Sequence, residues 1–179
     1  MDTDKEIAED VKHDGRAGQI AMIDRYGQTI YAMIARQVPS AMDPEELTQD
    51  TILKAFSHIS SYDPERASLI TWLYRIAYRL TLDFLKRKKL FTVSIDDGVT
   101  QLTHVNDEQL EAELSTGKEE RISRLETMID DLPPDERLLL TMHYYENRPL
   151  TECAFIMDTT PHALANRLCR IRKKLYKQF

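Results

Sequence analysis

The sequence predicts an all-α protein that consists of two small helical domains. Glycine and proline are scarce, since the chain has five glycines and seven prolines in 179 residues and long stretches contain neither. An all-β protein would need tight turns far more often. The hydrophobic content of 42% is ordinary for a globular protein, which argues against disorder of the whole chain. Several segments also place apolar residues at helical spacing.

Three helices are predicted in the first part of the chain, over residues 16–37, 43–59 and 68–89. The second has the clearest start signal. Asp43 suits the N-cap and Pro44 the first helical position, while Glu46 lies three residues after the cap and can complete a capping box.

The helix over 68–89 is predicted to have two different faces. Its core stripe is formed by Leu69, Leu73, Ile76 and Leu80, with Trp72 at the margin. The flank and the exposed side carry Arg75, Arg79, Lys86, Thr71, Tyr74 and Tyr78. Basic groups between aromatic rings suit a nucleic-acid strand with unstacked bases, whereas the alternative for the rings is that they are core residues.

The segment from Leu90 to about Gly117 is predicted to be a linker. It lacks sustained helical periodicity and is rich in Thr, Ser, Asp and Asn. Beyond it, apolar spacing predicts a helix from about Ile122 that stops at Pro133, and another over 135–145. We expect a flexible acidic linker of this kind to leave the two domains unaligned when the protein is free.

The last two predicted helices, over 150–157 and 161–177, resemble a helix-turn-helix. Thr160 is a good N-cap, Pro161 a good first residue, and the turn is short. The final helix has a narrow apolar stripe formed by Leu164, Leu168, Ile171 and Leu175. Its opposite face holds donors suited to base edges and phosphates, although a solvated basic face is the alternative.

Charge is distributed unevenly along the chain. The formal net charge is −6, which taken alone argues against binding to nucleic acid. Residues 75–89, however, contain six basic residues and one acidic one, and residues 162–179 contain six basic residues and no acidic one. Between them, residues 90–135 carry twelve acidic and three basic residues. Two separate basic patches are therefore predicted, each able to meet phosphates.

Other classes of function find little support in the sequence. No apolar run is long enough to span a bilayer, and the start MDTDKEIAED is acidic, so no membrane insertion and a cytoplasmic location are expected. Cys153 and Cys169 form no CxxC pair, so reduced thiols and no metal site or cofactor are expected. The chain also shows no nucleotide-binding glycine motif and no nucleophile motif, which argues against an enzyme.

Two blocks of sequence resemble a known family. Residues 44–89, which begin PEELTQDTILKAF and continue through YRIAYRLTLDFLKRKK, resemble the second conserved domain of extracytoplasmic function (ECF) sigma factors of the sigma-70 family. Residues 125–175, with DDLPPDERLLL and LTECAFIMDTTPHALANRLCRIRKKL, resemble their fourth domain. The resemblance implies a region 2 domain over 16–90, a linker over 91–119 and a region 4 domain over 120–179.

The resemblance also implies three sets of site residues. Contacts with core RNA polymerase are expected from Glu45, Glu46, Gln49, Asp50 and Lys54. Recognition and melting of the promoter −10 element, including capture of a flipped base, are expected from Ser61, Tyr62, Asp63, Arg66, Arg75, Arg79, Lys86 and Arg87. Reading of the −35 duplex is expected from His162, Asn166, Arg167, Arg170 and Lys173.

The chain departs from the family pattern at four positions that bear on promoter choice. The family often has Asn where Arg79 stands and commonly Gly where Asp158 stands, while Thr and Ser are usual in place of Ala163 and Asn166. The consensus promoter sequence therefore cannot be transferred from the family to this chain.

The implied partners are core RNA polymerase, promoter DNA and an anti-sigma factor. Two other classes of function stay open at this point. A dimeric regulator could bind an operator with the same helix-turn-helix, although this leaves residues 44–89 without a purpose. A protein that only sequesters a partner through its acidic first domain would leave both basic patches unexplained.

Overall fold

The structure is a computed structural model, and it describes residues 3–38, 43–95 and 116–178. The regular secondary structure in these ranges is helical, which confirms the all-α prediction. The helices are α1 (Asp4–Lys12), α2 (Arg16–Ala35), α3 (Pro44–His58), α4 (Leu69–Ile95), α5 (Thr116–Asp130), α6 (Pro134–Leu140), α7 (Leu150–Met157) and α8 (Pro161–Gln178). A 3₁₀ turn, Ile59–Ser61, follows α3, and a π-helical turn, Thr141–Tyr145, follows α6.

Helix α1 is absent from the prediction, although its start signal is present in the sequence. The hydroxyl of Thr3 accepts a hydrogen bond from the backbone amide of Glu6 at 3.2 Å, as an N-cap does. Ile7, Ala8 and Val11 are buried at helical spacing, so the acidic N-terminal segment has an apolar face of its own.

Asp4 joins α1 to two other helices. Its carboxylate accepts hydrogen bonds from the hydroxyl of Tyr26 on α2 and from the backbone amide of Leu69, at 3.1 Å, at the start of α4. Burial of the ring, together with the hydrogen bond to Asp4, raises the pKa of Tyr26 to about 12. The first turn of α4 therefore receives a capping carboxylate from a residue 65 positions earlier.

Helix α4 is the centre of the first part of the chain and packs against α2 and α3. Leu69, Leu73 and Ala77 are fully buried, and Trp72 is nearly so. The predicted core stripe is thus correct at its start, but Ile76 and Leu80 are only half-buried. The helix runs six residues past the predicted end at Lys89, and residues 96–115 of the predicted linker lie outside the described residues.

The second part of the chain is built on α6, α7 and α8. Its core contains Leu138, Leu139, Met142, Ile156, Leu164, Leu168 and Ile171. The predicted helix over 135–145 is divided, because α6 ends at Leu140 and a π-helical turn completes it. Helix α7 has the predicted bounds, α8 extends one residue past the predicted end, and α5 begins at Thr116, earlier than predicted.

The two parts of the chain pack against each other, chiefly through α4 and α7. Thr71, Tyr74 and Tyr78, on the side of α4 away from its core stripe, are between 2% and 8% exposed. The guanidinium of Arg148 lies 4.0 Å from the centroid of the Tyr74 ring. The expectation of unaligned domains is therefore wrong for this structure. The composition of a linker describes only the linker itself. It carries no information on whether the surfaces of the two domains that it joins are complementary.

The N-cap of α3 can be tested by substitution. The side chain of Asp43 accepts a hydrogen bond from the amide of Glu45 at 2.8 Å. We expect Asp43→Ala to lower the free energy of unfolding by about 1 kcal/mol, because an orphan helix donor loses its acceptor. Asp43→Asn, which keeps an acceptor, should cost much less. Urea denaturation of the three proteins measures both effects, and equal destabilisation by the two substitutions would contradict a capping role.

The two thiols should differ in reactivity. Cys153 is fully buried, and this burial raises its pKa to about 11, whereas Cys169 is exposed on α8. Because the thiolate is the nucleophile, iodoacetamide at neutral pH should alkylate Cys169 in the folded protein and leave Cys153 intact. In urea both thiols should react. Peptide mass spectrometry reads out the two sites, and rapid alkylation of Cys153 under native conditions would show that α7 is not packed as described.

Candidate nucleic-acid interface

Helices α7 and α8 form a helix-turn-helix with capping at both sides of the turn. Helix α7 ends at Asp158, which has a left-handed backbone with φ 56° and ψ 50°. The hydroxyl of Thr160 accepts a hydrogen bond from the amide of Ala163 at 3.2 Å, which confirms the predicted N-cap. Leu164, Leu168 and Ile171 are buried, so the predicted stripe anchors α8 and leaves its opposite face open.

Four of the five candidate −35 residues are exposed together on α8: His162, Asn166, Arg170 and Lys173. The side-chain nitrogen Nδ2 of Asn166 lies 3.2 Å from Nε2 of His162, one turn earlier. Arg167 differs from the others, because its half-buried guanidinium pairs with the carboxylate of Asp135 on α6. Arg167 therefore ties α8 to α6 in this arrangement.

Five of the candidate −10 residues surround a cavity of about 370 Å³ beside α4. They are Ser61, Asp63, Arg66, Arg75 and Arg79. The remaining walls come from Lys54, His58, Trp72, Ile76 and Phe155. The cavity thus combines an indole ring with four cationic side chains, a combination that suits a base and its flanking phosphates.

The other three candidate −10 residues lie outside this cavity. Tyr62 is 6% exposed, and its ring centroid is 5.6 Å from that of Trp72, so it packs in the core. Burial also raises the pKa of Tyr62. Lys86 and Arg87 are exposed on later turns of α4, where they can reach a phosphate backbone.

Phe155 of α7 closes one side of the cavity. The guanidinium of Arg75 lies 5.0 Å from the centroid of its ring, and that of Arg66 lies 6.0 Å away. Sequence reasoning missed this residue, and no local signal indicates it, since Phe155 lies on a helix assigned to the other domain. Sequence reasoning also did not identify His58 and Ile76 as residues of the cavity wall. The reason is different, because residues that line a cavity share no characteristic spacing in the sequence.

The turn of the helix-turn-helix reaches the same basic cluster. The carboxylate of Asp158 accepts hydrogen bonds from Arg75 at 2.8 Å and from Arg79 at 3.0 Å. Glu152 lies on α7 one turn before Phe155. The hydroxyl of Thr71 on α4 lies 3.4 Å from the carboxylate of Glu152. One face of α7 therefore lies along the candidate −10 surface of α4.

The candidate polymerase contacts form an exposed face of α3. Glu45, Glu46, Gln49, Asp50 and Lys54 are all exposed. Leu53 lies among them with 61% of its surface exposed, and sequence reasoning missed it. A shallow groove of about 300 Å³ between α2 and α3 includes Glu45, Gln49 and Tyr31. The face is thus mainly acidic, with the apolar side chain of Leu53 beside Lys54 at its C-terminal end.

The part of the chain that the structure describes holds no group of three or more His, Cys, Asp or Glu side chains able to bind a metal ion. Among the same residues, no helix combines the length and the apolar character that crossing a membrane requires.

Family models match both parts of the chain. The model for sigma-70 region 2 matches residues 22–91, and the model for sigma-70 region 4 matches residues 122–175. The ECF RNA polymerase sigma factor SigW of Bacillus subtilis is 26% identical over 162 residues, which cover 88% of this chain and 86% of SigW. The ECF RNA polymerase sigma-E factor of Salmonella typhimurium is 24% identical over 178 residues, which cover 97% of this chain and 92% of that protein.

Two solved structures share the fold. CnrH, solved in complex with the cytosolic domain of CnrY, matches with a TM-score of 0.63 and 18% identity over 99% of this chain and 97% of CnrH. The sigma factor RpoE of Bartonella quintana, solved with the anti-sigma factor NepR, matches with a TM-score of 0.60 and 19% identity over 88% of this chain and 93% of RpoE. With both domain models matched in the family's order and relatives aligned along almost the whole chain, this protein belongs to the ECF sigma factors of the sigma-70 family.

Proposed function

We propose that this chain binds core RNA polymerase and directs transcription initiation at a particular set of promoters. One observation carries the proposal: two separate basic surfaces lie on two folded units that match region 2 and region 4 in the family's order. Phosphate contacts on both units suit a protein that meets two elements of one promoter. We propose that it is a targeting subunit without enzymatic activity of its own and that it acts in the cytoplasm.

The exposed face of α3 is the proposed docking site for the polymerase. Glu45, Glu46 and Asp50 offer carboxylates to a basic partner. Glu45 and Glu46 also lie in the first turn of α3, where negative charge stabilises the helix, so part of their role is structural. Leu53, exposed among them, supplies the apolar contact that a purely charged face would lack.

The cavity beside α4 is the proposed site for a base flipped from the opened −10 element. A flipped base loses its stacking in the duplex, so a receiving pocket must offer an aromatic or apolar wall and nearby cations. Trp72 and Ile76 supply the walls, and Arg66, Arg75 and Arg79 supply the cations. We assign Lys86 and Arg87 to phosphates further along the strand.

The exposed face of α8 is the proposed reader of the −35 duplex. A recognition helix places its N-terminal part against base edges in the major groove. His162 and Asn166 lie in that part, and Arg170 lies at the middle of the helix on the same exposed face, with Lys173 one turn further for a phosphate. The domain boundaries that we propose for the whole chain are region 2 over residues 16–90, a linker over residues 91–119 and region 4 over residues 120–179.

An anti-sigma factor is the proposed restraint on this chain. A factor that acts whenever it is present needs a partner that withholds it from the polymerase. Both solved structures described above contain a second protein: CnrH is bound to the cytosolic domain of CnrY, and the sigma factor RpoE is bound to the anti-sigma factor NepR. Affinity purification from the native cell should recover a small or membrane-anchored protein as well as the polymerase.

Run-off transcription tests the proposed function directly. Core RNA polymerase, the purified chain and a template with the chain's own upstream region should give a discrete transcript. Core polymerase alone and the chain alone should give none. Absence of a transcript from this and other candidate promoters, together with tight operator binding by a stable dimer of the free chain, would favour an ordinary regulator instead.

Substitutions on α8 should change promoter choice. Asn166 and Arg170 can each make two hydrogen bonds to one base edge, so Asn166→Ala or Arg170→Ala should cost about 1 to 3 kcal/mol at a matched −35 element and relax preference at particular base pairs. Transcription from a panel of single-base promoter variants measures this. An equal loss of activity on every promoter would contradict the assignment.

Substitutions at the end of the basic run of α4 should act on all promoters alike. Lys86→Ala or Arg87→Ala removes a cation from a DNA phosphate and leaves the base-reading residues intact. Open-complex formation should weaken uniformly, and its salt dependence should flatten by roughly one unit of slope for each phosphate that is no longer neutralised. Titration of salt on several promoters measures the slope. A shift in base preference with an unchanged slope would show that these residues read bases.

A further inference from the structure

Asp4 lies outside the residues that the region 2 model matches, but its carboxylate reaches the first turn of α4. The matched residues begin at 22, so the whole of α1 precedes them. One carboxylate oxygen of Asp4 accepts a hydrogen bond from the backbone amide of Leu69 at 3.1 Å, and the other accepts one from the hydroxyl of Tyr26. Nη1 of Arg25 lies 3.7 Å from Oδ1 of Asp4. Helix α1 thus supplies an acceptor to the helix that carries the proposed −10 residues.

Leu69 stands between two walls of the cavity beside α4. On its N-terminal side, the loop of residues 62–68 supplies Asp63 and Arg66. On its C-terminal side, the first turns of α4 supply Trp72 and the residues beyond it. Leu69 itself is fully buried, and α4 begins there. The amide that Asp4 holds is therefore the point at which one wall of the cavity meets the other.

The start of the same loop also lies near α1. Helix α1 packs against the 3₁₀ turn that precedes Tyr62. Burial raises the pKa of Tyr62, and the negative charges of Asp4 and Asp63 raise it further. The ring of Tyr62 packs against Trp72, with 5.6 Å between the ring centroids. Helix α1 is thus in contact with the structure at both ends of the loop.

The other caps at the start of α4 are local. The hydroxyl of Ser68 lies 3.4 Å from the amide of Thr71, and the carbonyl of Ser68 accepts from the amide of Trp72 at 3.0 Å. Bonds between neighbours shape the first turn of a helix, but they do not fix its position relative to other elements. The bond from Leu69 to Asp4 does so, because Asp4 belongs to a different helix.

Helix α1 is firmly joined to α2, so it can serve as a fixed support. The carboxylate of Asp10 accepts a hydrogen bond from the amide of Gly18 at 2.6 Å. A Cβ atom at Gly18 would lie 2.8 Å from that of Asp10 and 2.9 Å from the carbonyl oxygen of Ile7, so only glycine permits this close approach. The position of Asp4 is therefore determined by the packing of α1 on α2.

We propose that Asp4 is a positioning residue for the −10 site, where it fixes the loop of residues 62–68 relative to α4. This inference rests on the proposed function of the cavity beside α4. The residues that line the cavity do not include Asp4, so it acts through the amide of Leu69. A preformed cavity binds a flipped base better, because its walls need no further ordering when the base enters.

Transcription by the reconstituted holoenzyme tests this role with two promoter panels. One panel has single-base changes in the −10 element of the chain's own upstream region, and the other has them in the −35 element. Asp4→Ala should lower the ratio of matched to mismatched −10 transcription by about two- to tenfold, the scale of one lost hydrogen bond, and leave the −35 ratios unchanged. Asp4→Asn should recover most of the discrimination, because its amide oxygen can still accept from Leu69.

Asp10→Ala is the matched control. It removes a carboxylate from the same helix and the hydrogen bond to the amide of Gly18, but it leaves the bond between Asp4 and Leu69 in place. Urea denaturation compares the stability of the two alanine variants. The −10 ratios of Asp10→Ala should equal those of the parent chain. A loss of discrimination as large as that of Asp4→Ala would overturn the proposal, because general loosening of α1 would then suffice.

Trp72 gives a second measurement that needs neither DNA nor polymerase. It is the single tryptophan of the chain and is 7% exposed, one turn after Leu69. Acrylamide should quench its fluorescence more strongly in Asp4→Ala than in Asp10→Ala, and equal quenching would contradict the positioning role. Tyr26→Phe keeps the buried ring and removes one hydrogen bond to Asp4, so it should shift both readouts in the same direction by a smaller amount. This variant serves if Asp4→Ala does not fold.

The outcome for Asp4 is separable from that for the proposed function. If the −10 ratios do not respond to Asp4→Ala or Tyr26→Phe while the parent chain still gives the run-off transcript, the positioning role is overturned and the proposed function stands without it.

Discussion

Helix α4 is buried on two opposite sides, and this double burial determines where the other helices can lie. Leu69, Leu73 and Ala77 pack toward α2 and α3, as the single apolar stripe of a surface helix would. Tyr74 and Tyr78 lie on the other side and are buried as well. Burial raises the pKa of both hydroxyls, which is the expected effect of covering a tyrosine with a second domain. A helix of this kind needs a partner on each side.

Local signals are sufficient to predict most of the helices. Asp43 and Thr160 are predicted as N-caps, and both accept the expected backbone hydrogen bonds. Capping involves only neighbouring residues, so a sequence contains all the information that the prediction needs. The same reasoning applies to α1. Its missed signals are the N-cap residue Thr3 and the helical spacing of the buried residues Ile7, Ala8 and Val11. The acidic composition of that segment conceals its helical periodicity.

Contacts between distant residues are beyond the reach of sequence patterns. The position of Tyr62 in the loop suggests the −10 site, but its ring packs against Trp72. Helical spacing places Arg167 with the −35 residues, but it pairs with Asp135 on α6. In each case local position identifies the element that carries the side chain. It cannot indicate which distant group competes for that side chain.

The contact between the two units includes polar groups as well as the buried rings of Tyr74 and Tyr78. Its distinctive contacts are polar, including Arg148 over the ring of Tyr74 and a hydrogen bond of 2.8 Å from Arg137 to the carbonyl of Gln37. Contacts of this type resemble those of transient interfaces, in which water can replace the partner when the units separate.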